Sequence, residues 1–132
     1  MTILVDSNVV IDLLQNSQWA DWAVARFEER PNETFAVNQL IYAESSLTFL
    51  HSYELDTQLN NVGIVRLELP WEAGFLAARA FVQYRRWRGK TTSPMPGFYI
   101  GAHAVVSGLT LLTRDAKLYR TYFPDAQIIA PR

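Results

Sequence analysis

The chain has no cysteine, which excludes disulfides and thiolate metal sites. That fits a reducing cytoplasm, and a cytoplasmic protein is the expectation. No apolar run approaches the roughly 18 residues of a membrane span. No charged-then-apolar leader precedes Ile3-Leu4-Val5, so no membrane partner is expected. A third absence is local: between Glu72 and Asp115 there is no Asp or Glu. That stretch carries Arg79, Arg85, Arg86, Arg88, Lys90 and Arg114.

What is present is the composition of a folded protein. At 132 residues, 49% hydrophobic and 19% charged, the chain is expected to form one domain over residues 1–132 with one core. The net charge of −1 gives no general affinity for nucleic acid. The acid-free stretch is different, because Arg85, Arg86, Arg88 and Lys90 crowd together. They read equally well as a solvated helix end or as contacts for phosphate.

Apolar runs at 2–5, 34–37, 64–67, 109–112 and 127–130 predict five strands. Helical spacing predicts helices between them. Ser7 and Asn8 can cap a short helix over 9–14, and Ser17 one carrying Trp19, Trp22, Ala23 and Phe27. Asn38 is a good cap for a helix over 39–51 with Leu40, Ala43, Leu47 and Leu50 as its buried face. A further short helix is predicted over 54–60. Pro70 opens a long helix whose apolar row is Ala73, Leu76, Ala80, Tyr84 and Trp87, closed by Gly89. Two more helices are expected over 98–107 and 118–123. Strands alternating with helices argue for an α/β fold with a parallel sheet covered on both faces. In such folds ligands sit beyond the carboxyl ends of the strands. Asp6 and Asp115 both follow such ends.

Three carboxylates stand out. Glu44 shares the apolar row of its helix, and a buried carboxylate needs a partner. A salt bridge or hydrogen bond would serve, and so would a divalent cation held jointly with Asp6 and Asp115. Carboxylates alone suit Mg2+ or Mn2+. Asp6 by itself is unspecific. A haloacid-dehalogenase-type phosphatase would need a second Asp two residues on, where Asn8 stands, and no acidic pair supports a receiver domain. Asp12 is expected to be solvated. His103 and His51 read as packed, hydrogen-bonded or capping side chains rather than catalytic bases.

The run Leu4-Val5-Asp6-Ser7-Asn8-Val9-Val10-Ile11-Asp12-Leu13-Leu14 resembles the opening of the PIN-domain nucleases. Glu44 in Ile41-Tyr42-Ala43-Glu44-Ser45 resembles their second acid, and Leu111-Leu112-Thr113-Arg114-Asp115 the segment with their last. The chain is most similar to the VapC toxins of type II toxin–antitoxin pairs. That resemblance implies a three-layer α/β/α sandwich around a five-stranded, mainly parallel sheet. It implies a Mg2+- or Mn2+-dependent endoribonuclease acting on RNA, a homodimer, and inhibition by a cognate antitoxin protein. By the same resemblance Asp6, Glu44 and Asp115 are the metal-binding and catalytic acids. Thr113 orients an acidic neighbour or the attacking water.

The chain departs from the family at one place. Where the family carries an Asp in a Pro-x-Pro-Asp-Phe pattern, this chain reads Pro94-Met95-Pro96-Gly97-Phe98. Glycine in an N-cap setting costs only a few tenths of a kcal/mol, so the fold is expected to survive and metal binding and cleavage to be impaired. Arg85, Arg86, Arg88 and Lys90 are candidate RNA contacts. Tyr84, Trp87 and Tyr99 could stack bases, with core packing the preferred reading of Tyr84 and Trp87. A catalytically inactive domain that binds antitoxin or RNA is the alternative. A small phosphatase is the weaker third reading.

Overall fold

The computed structural model describes residues 1–88 and 95–132, the side chain of Arg88 excepted; Gly89, Lys90 and Pro94 lie outside the described residues. Five short aliphatic runs form strands: β1 (Thr2–Val5), β2 (Thr34–Val37), β3 (Ile64–Arg66), β4 (Thr110–Leu112) and β5 (Gln127–Ile129). They make one sheet in the order β3-β2-β1-β4-β5, and all four pairings are parallel. Ile3, Leu4 and Val5 of the central strand are fully buried, as expected where helices cover both faces.

Seven helices occur among the described residues. They are α1 (Ser7–Leu14), α2 (Ala20–Glu28), α3 (Gln39–Ser46), α4 (Ser52–Asn61), α5 (Trp71–Arg88), α6 (Met95–Val106) and α7 (Lys117–Tyr122). The architecture is the expected α/β sandwich. The chain winds from β1 outward through β2 to β3, then crosses to β4 and β5. The crevice at that switch point lies beyond the ends of β1 and β4.

Close packing of α5, α6 and α7 depends on small residues. Ala73, Ala77 and Ala80 of α5 are buried, as is Phe98 of α6. Phe98 packs its ring against Phe81, Tyr84, Tyr122 and Phe123. At Gly101 a Cβ would lie 2.5 Å from the Phe123 ring, so only glycine admits that ring.

Several expectations need correction. α3 ends at Ser46 rather than near His51, and its buried residues are Ile41 and Ser45. Of the predicted buried row, Leu47 and Leu50 are 86% and 92% exposed, because both lie beyond the end of α3. His51 stands at the start of α4, not at a helix C-terminus. Trp87 is largely exposed, its ring tilted against Tyr122, whereas Tyr84 is buried as preferred. On α5, Trp71, Phe75 and Val82 are exposed along one face. Leu40 and Trp71 share an apolar cleft of about 350 Å3 with Tyr99.

An acidic cleft at the switch point of the sheet

Asp6 is placed by the strand that precedes it and by the helix that follows. It caps α1, accepting from the backbone N–H of Ser7 through Oδ1 at 2.8 Å. Ser7 and Asn8, expected as caps, lie in the helix and do other work. The Ser7 hydroxyl donates to Glu44 Oε1 at 3.0 Å. The Asn8 carboxamide oxygen accepts from the Arg114 N–H at 3.1 Å. Ser7 therefore couples the first and second acids, and Asn8 ties the segment that carries the third.

Thr113, fully buried, donates its hydroxyl to Asp6 Oδ2 at 2.8 Å and accepts from the N–H of Asp115 at 3.1 Å. It thus contacts an acidic neighbour, the contact that one of its two expected roles would need. Tyr119 was not singled out from the sequence. Its hydroxyl also donates to Asp6 Oδ2, at 2.9 Å. Its position on α7, one turn past Asp115, was the only available signal.

Asp6, Ser7, Asn8, Glu44, Gly97, Ile100, Asp115, Leu118 and Tyr119 line one cleft of about 230 Å3. The structure thus brings the three predicted acids and the vacated position to one cavity. Arg85 and Arg86 are exposed on α5 and do not line it; Arg88 has no described side chain and Lys90 lies outside the described residues. Burial raises the Asp6 carboxyl above the ordinary range, opposed by the donors from Thr113, Tyr119 and Ser7, with the Asp115 charge adding to the rise. Burial likewise raises Glu44, with the Asp6 charge contributing. The Tyr119 phenol is pushed far up by burial and by the Asp6 charge beside it, so it remains a donor.

Gly97 is not at a helix cap. It is the third residue of α6, where glycine costs up to about 1 kcal/mol against alanine. A Cβ there would lie 3.3 Å from Cδ2 of Leu118, so a longer side chain needs a small shift of that flexible methyl. Asp12 is not solvated either. It is 2% exposed, accepts from the Ser17 hydroxyl at 2.7 Å and pairs through both oxygens with Arg114 at 2.6 and 3.2 Å. Arg114 also stacks over Trp19. This pair clamps the segment carrying Thr113 and Asp115 to α1. His103 is buried in α6 with Nδ1 3.0 Å from the Asn38 amide nitrogen, while Asn38 caps α3 through Ile41. It is a structural histidine, its pKa lowered by burial.

The donor set suits a hard divalent cation in type. Its acids offer carboxylate oxygen, and among the described residues no Lys or Arg lines the cleft to neutralise them. In arrangement the set is incomplete. Among the described residues no three acids or histidines stand close enough together to ligate one ion, and Gly97 supplies no side-chain oxygen. The residues fit such a cation in chemical type, and as placed they do not form a three-ligand group.

Comparison with known proteins agrees with the fold. The sequence profile of the PIN domain matches residues 3–124. The structure resembles VapBC2 from Rickettsia felis bound to a promoter DNA fragment, with a TM-score of 0.72, 14% identity and 98% of each chain covered. A toxin–antitoxin complex from Klebsiella pneumoniae gives 0.66 at 19% identity over 98% of each chain. Mycobacterium tuberculosis VapC20, described as a Sarcin-Ricin loop cleaving toxin, gives 0.63 at 11% identity over 90% of this chain and 94% of that one. No curated protein sequence matches the chain significantly.

Proposed function

The chain belongs to the PIN-domain family, and from that premise we propose that its acidic cleft is the site of a divalent-cation-dependent endoribonuclease of the VapC toxin kind, impaired by the glycine at residue 97. The observation that carries this reading is the convergence of Asp6, Glu44, Asp115 and Gly97 on one cleft beyond β1 and β4. Asp6, Glu44 and Asp115 would hold Mg2+ or Mn2+, and Thr113 would keep Asp6 turned into the cleft. A bound cation would supply positive charge to the phosphate and acidify the attacking water. Exposed Arg85 and Arg86, with Arg88 and Lys90 following in sequence, are the candidate contacts for flanking RNA phosphates.

The likeness to a toxin–antitoxin complex supports a cognate antitoxin as partner. A second copy is supported by α5. In an antiparallel pairing of this helix with itself, Trp71 of one copy faces Val82 of the other and Phe75 faces the small Ala78. Glu72 then faces Arg79. Large residues thus meet small ones and acids meet bases, as a two-fold contact requires. Phe75→Glu would convert such a dimer to monomer in sedimentation velocity, leaving the circular dichroism unchanged.

The incomplete ligand set supports a second reading, a catalytically inactive domain that binds antitoxin or RNA. Cleavage of a panel of RNAs in Mg2+ and Mn2+, before and after Gly97→Asp, separates the two. Gain of cleavage on Gly97→Asp is the expected result. A variant inert on every RNA, with no cation binding, leaves only the binding role.

A further inference from the structure

We propose that Tyr119 is the positioning residue that fixes Asp6 for cation binding; this rests on the nuclease reading above. Asp6 is 5% exposed and three donors reach it. Ser7 N–H takes Oδ1, and the Thr113 and Tyr119 hydroxyls both take Oδ2. A carboxylate has about four lone-pair sites, so one remains, on Oδ1. Asp6 can therefore offer a cation a single bond and cannot chelate it through both oxygens.

The two hydroxyls on Oδ2 are not equivalent. Thr113 has one proton and two acceptors within reach, Asp6 Oδ2 at 2.8 Å and the Asp115 carbonyl at 3.4 Å. Its oxygen also accepts from Asp115 N–H and is 3.5 Å from the Asn8 amide. Thr113 therefore moves with the segment that carries Asp115. The Tyr119 proton goes to Asp6 alone. Its ring is held in α7 and is nearly wholly buried. The phenol therefore sets the rotation of the carboxylate and leaves the free lone pair of Oδ1 for a ligand. Removing it would leave a buried carboxylate with one donor fewer and a freer plane. Orienting partners of this type typically alter metal affinity by roughly ten- to a hundredfold.

Mn2+ alone is the probe, titrated into the Gly97→Asp protein with and without Tyr119→Phe and followed by the loss of the free-ion paramagnetic resonance signal. Phenylalanine keeps the ring and its packing, and near-ultraviolet circular dichroism checks that it does. The expected result is a dissociation constant about tenfold or more higher in the double variant, with native circular dichroism. An unchanged or tighter constant overturns the proposal and leaves the nuclease reading standing. No Mn2+ binding by Gly97→Asp itself would overturn both.

Discussion

On the β1–β4 wall of the cleft the polar groups are wired together: Asp6 has three donors, Thr113 joins it to the Asp115 backbone, Ser7 joins it to Glu44, and Asp12 clamps Arg114. On the α6 wall the chain offers Gly97, with a methyl of Leu118 above it and no side-chain donor. The first wall is fixed by interactions that also stabilise the fold, so it persists whether or not the site works. At Gly97 the second carries no side chain that the fold needs. On the function proposed above, fold and chemistry separate at that residue.

The contrast can be broken from either side. The largest effect is expected in the Gly97→Asp protein, where adding Asp6→Asn or Glu44→Gln should lower RNA cleavage by about a hundredfold or more, the scale of losing one charged contact in the transition state. Steady-state rates on one RNA would show it. Next comes the wired wall. Asp12→Asn should destabilise the protein by about 2–3 kcal/mol, below the full cost of breaking a buried pair because Arg114 is one-third exposed; urea unfolding measures this. Gly101→Ala should cost roughly 1–3 kcal/mol through the Phe123 ring, read the same way.

The smallest expected effect is on pH dependence. The folded-state pKa values of Asp6 and Glu44 are raised. The folded state therefore holds their protons to higher pH than the unfolded chain. Their contribution to stability is fully present below the ordinary carboxylate range and is lost as pH rises through their raised values. Urea midpoints should show that loss, and Asp6→Asn should diminish it.

Much of this was legible in the sequence. Asp6 and Asp115 were visible because each follows a short aliphatic run, and parallel strands present their ends to one crevice. Gly97 was visible because the residues on both sides kept the family pattern. Glu44 is only partly legible. Its spacing to Leu40 and Leu47 predicts a buried row, yet α3 buries Ile41 and Ser45 instead and ends before Leu47. Periodicity gives an apolar stripe, but the sheet and neighbouring helices decide which stripe they cover. Asp12 and Tyr119 were missed because their partners, Arg114 and Asp6, lie more than a hundred positions away. No local pattern encodes a pairing at that separation.

The central claim is that a single carboxylate is absent from an otherwise standing site. Calorimetric titration of Mn2+ into the chain as it stands and into Gly97→Asp tests it directly. An acid at that place would add an oxygen ligand and suit the positive first turn of α6. The account predicts binding at least about tenfold tighter in the variant, a difference of about 1.4 kcal/mol or more. Equal affinity in the two proteins, with both folded, would contradict it.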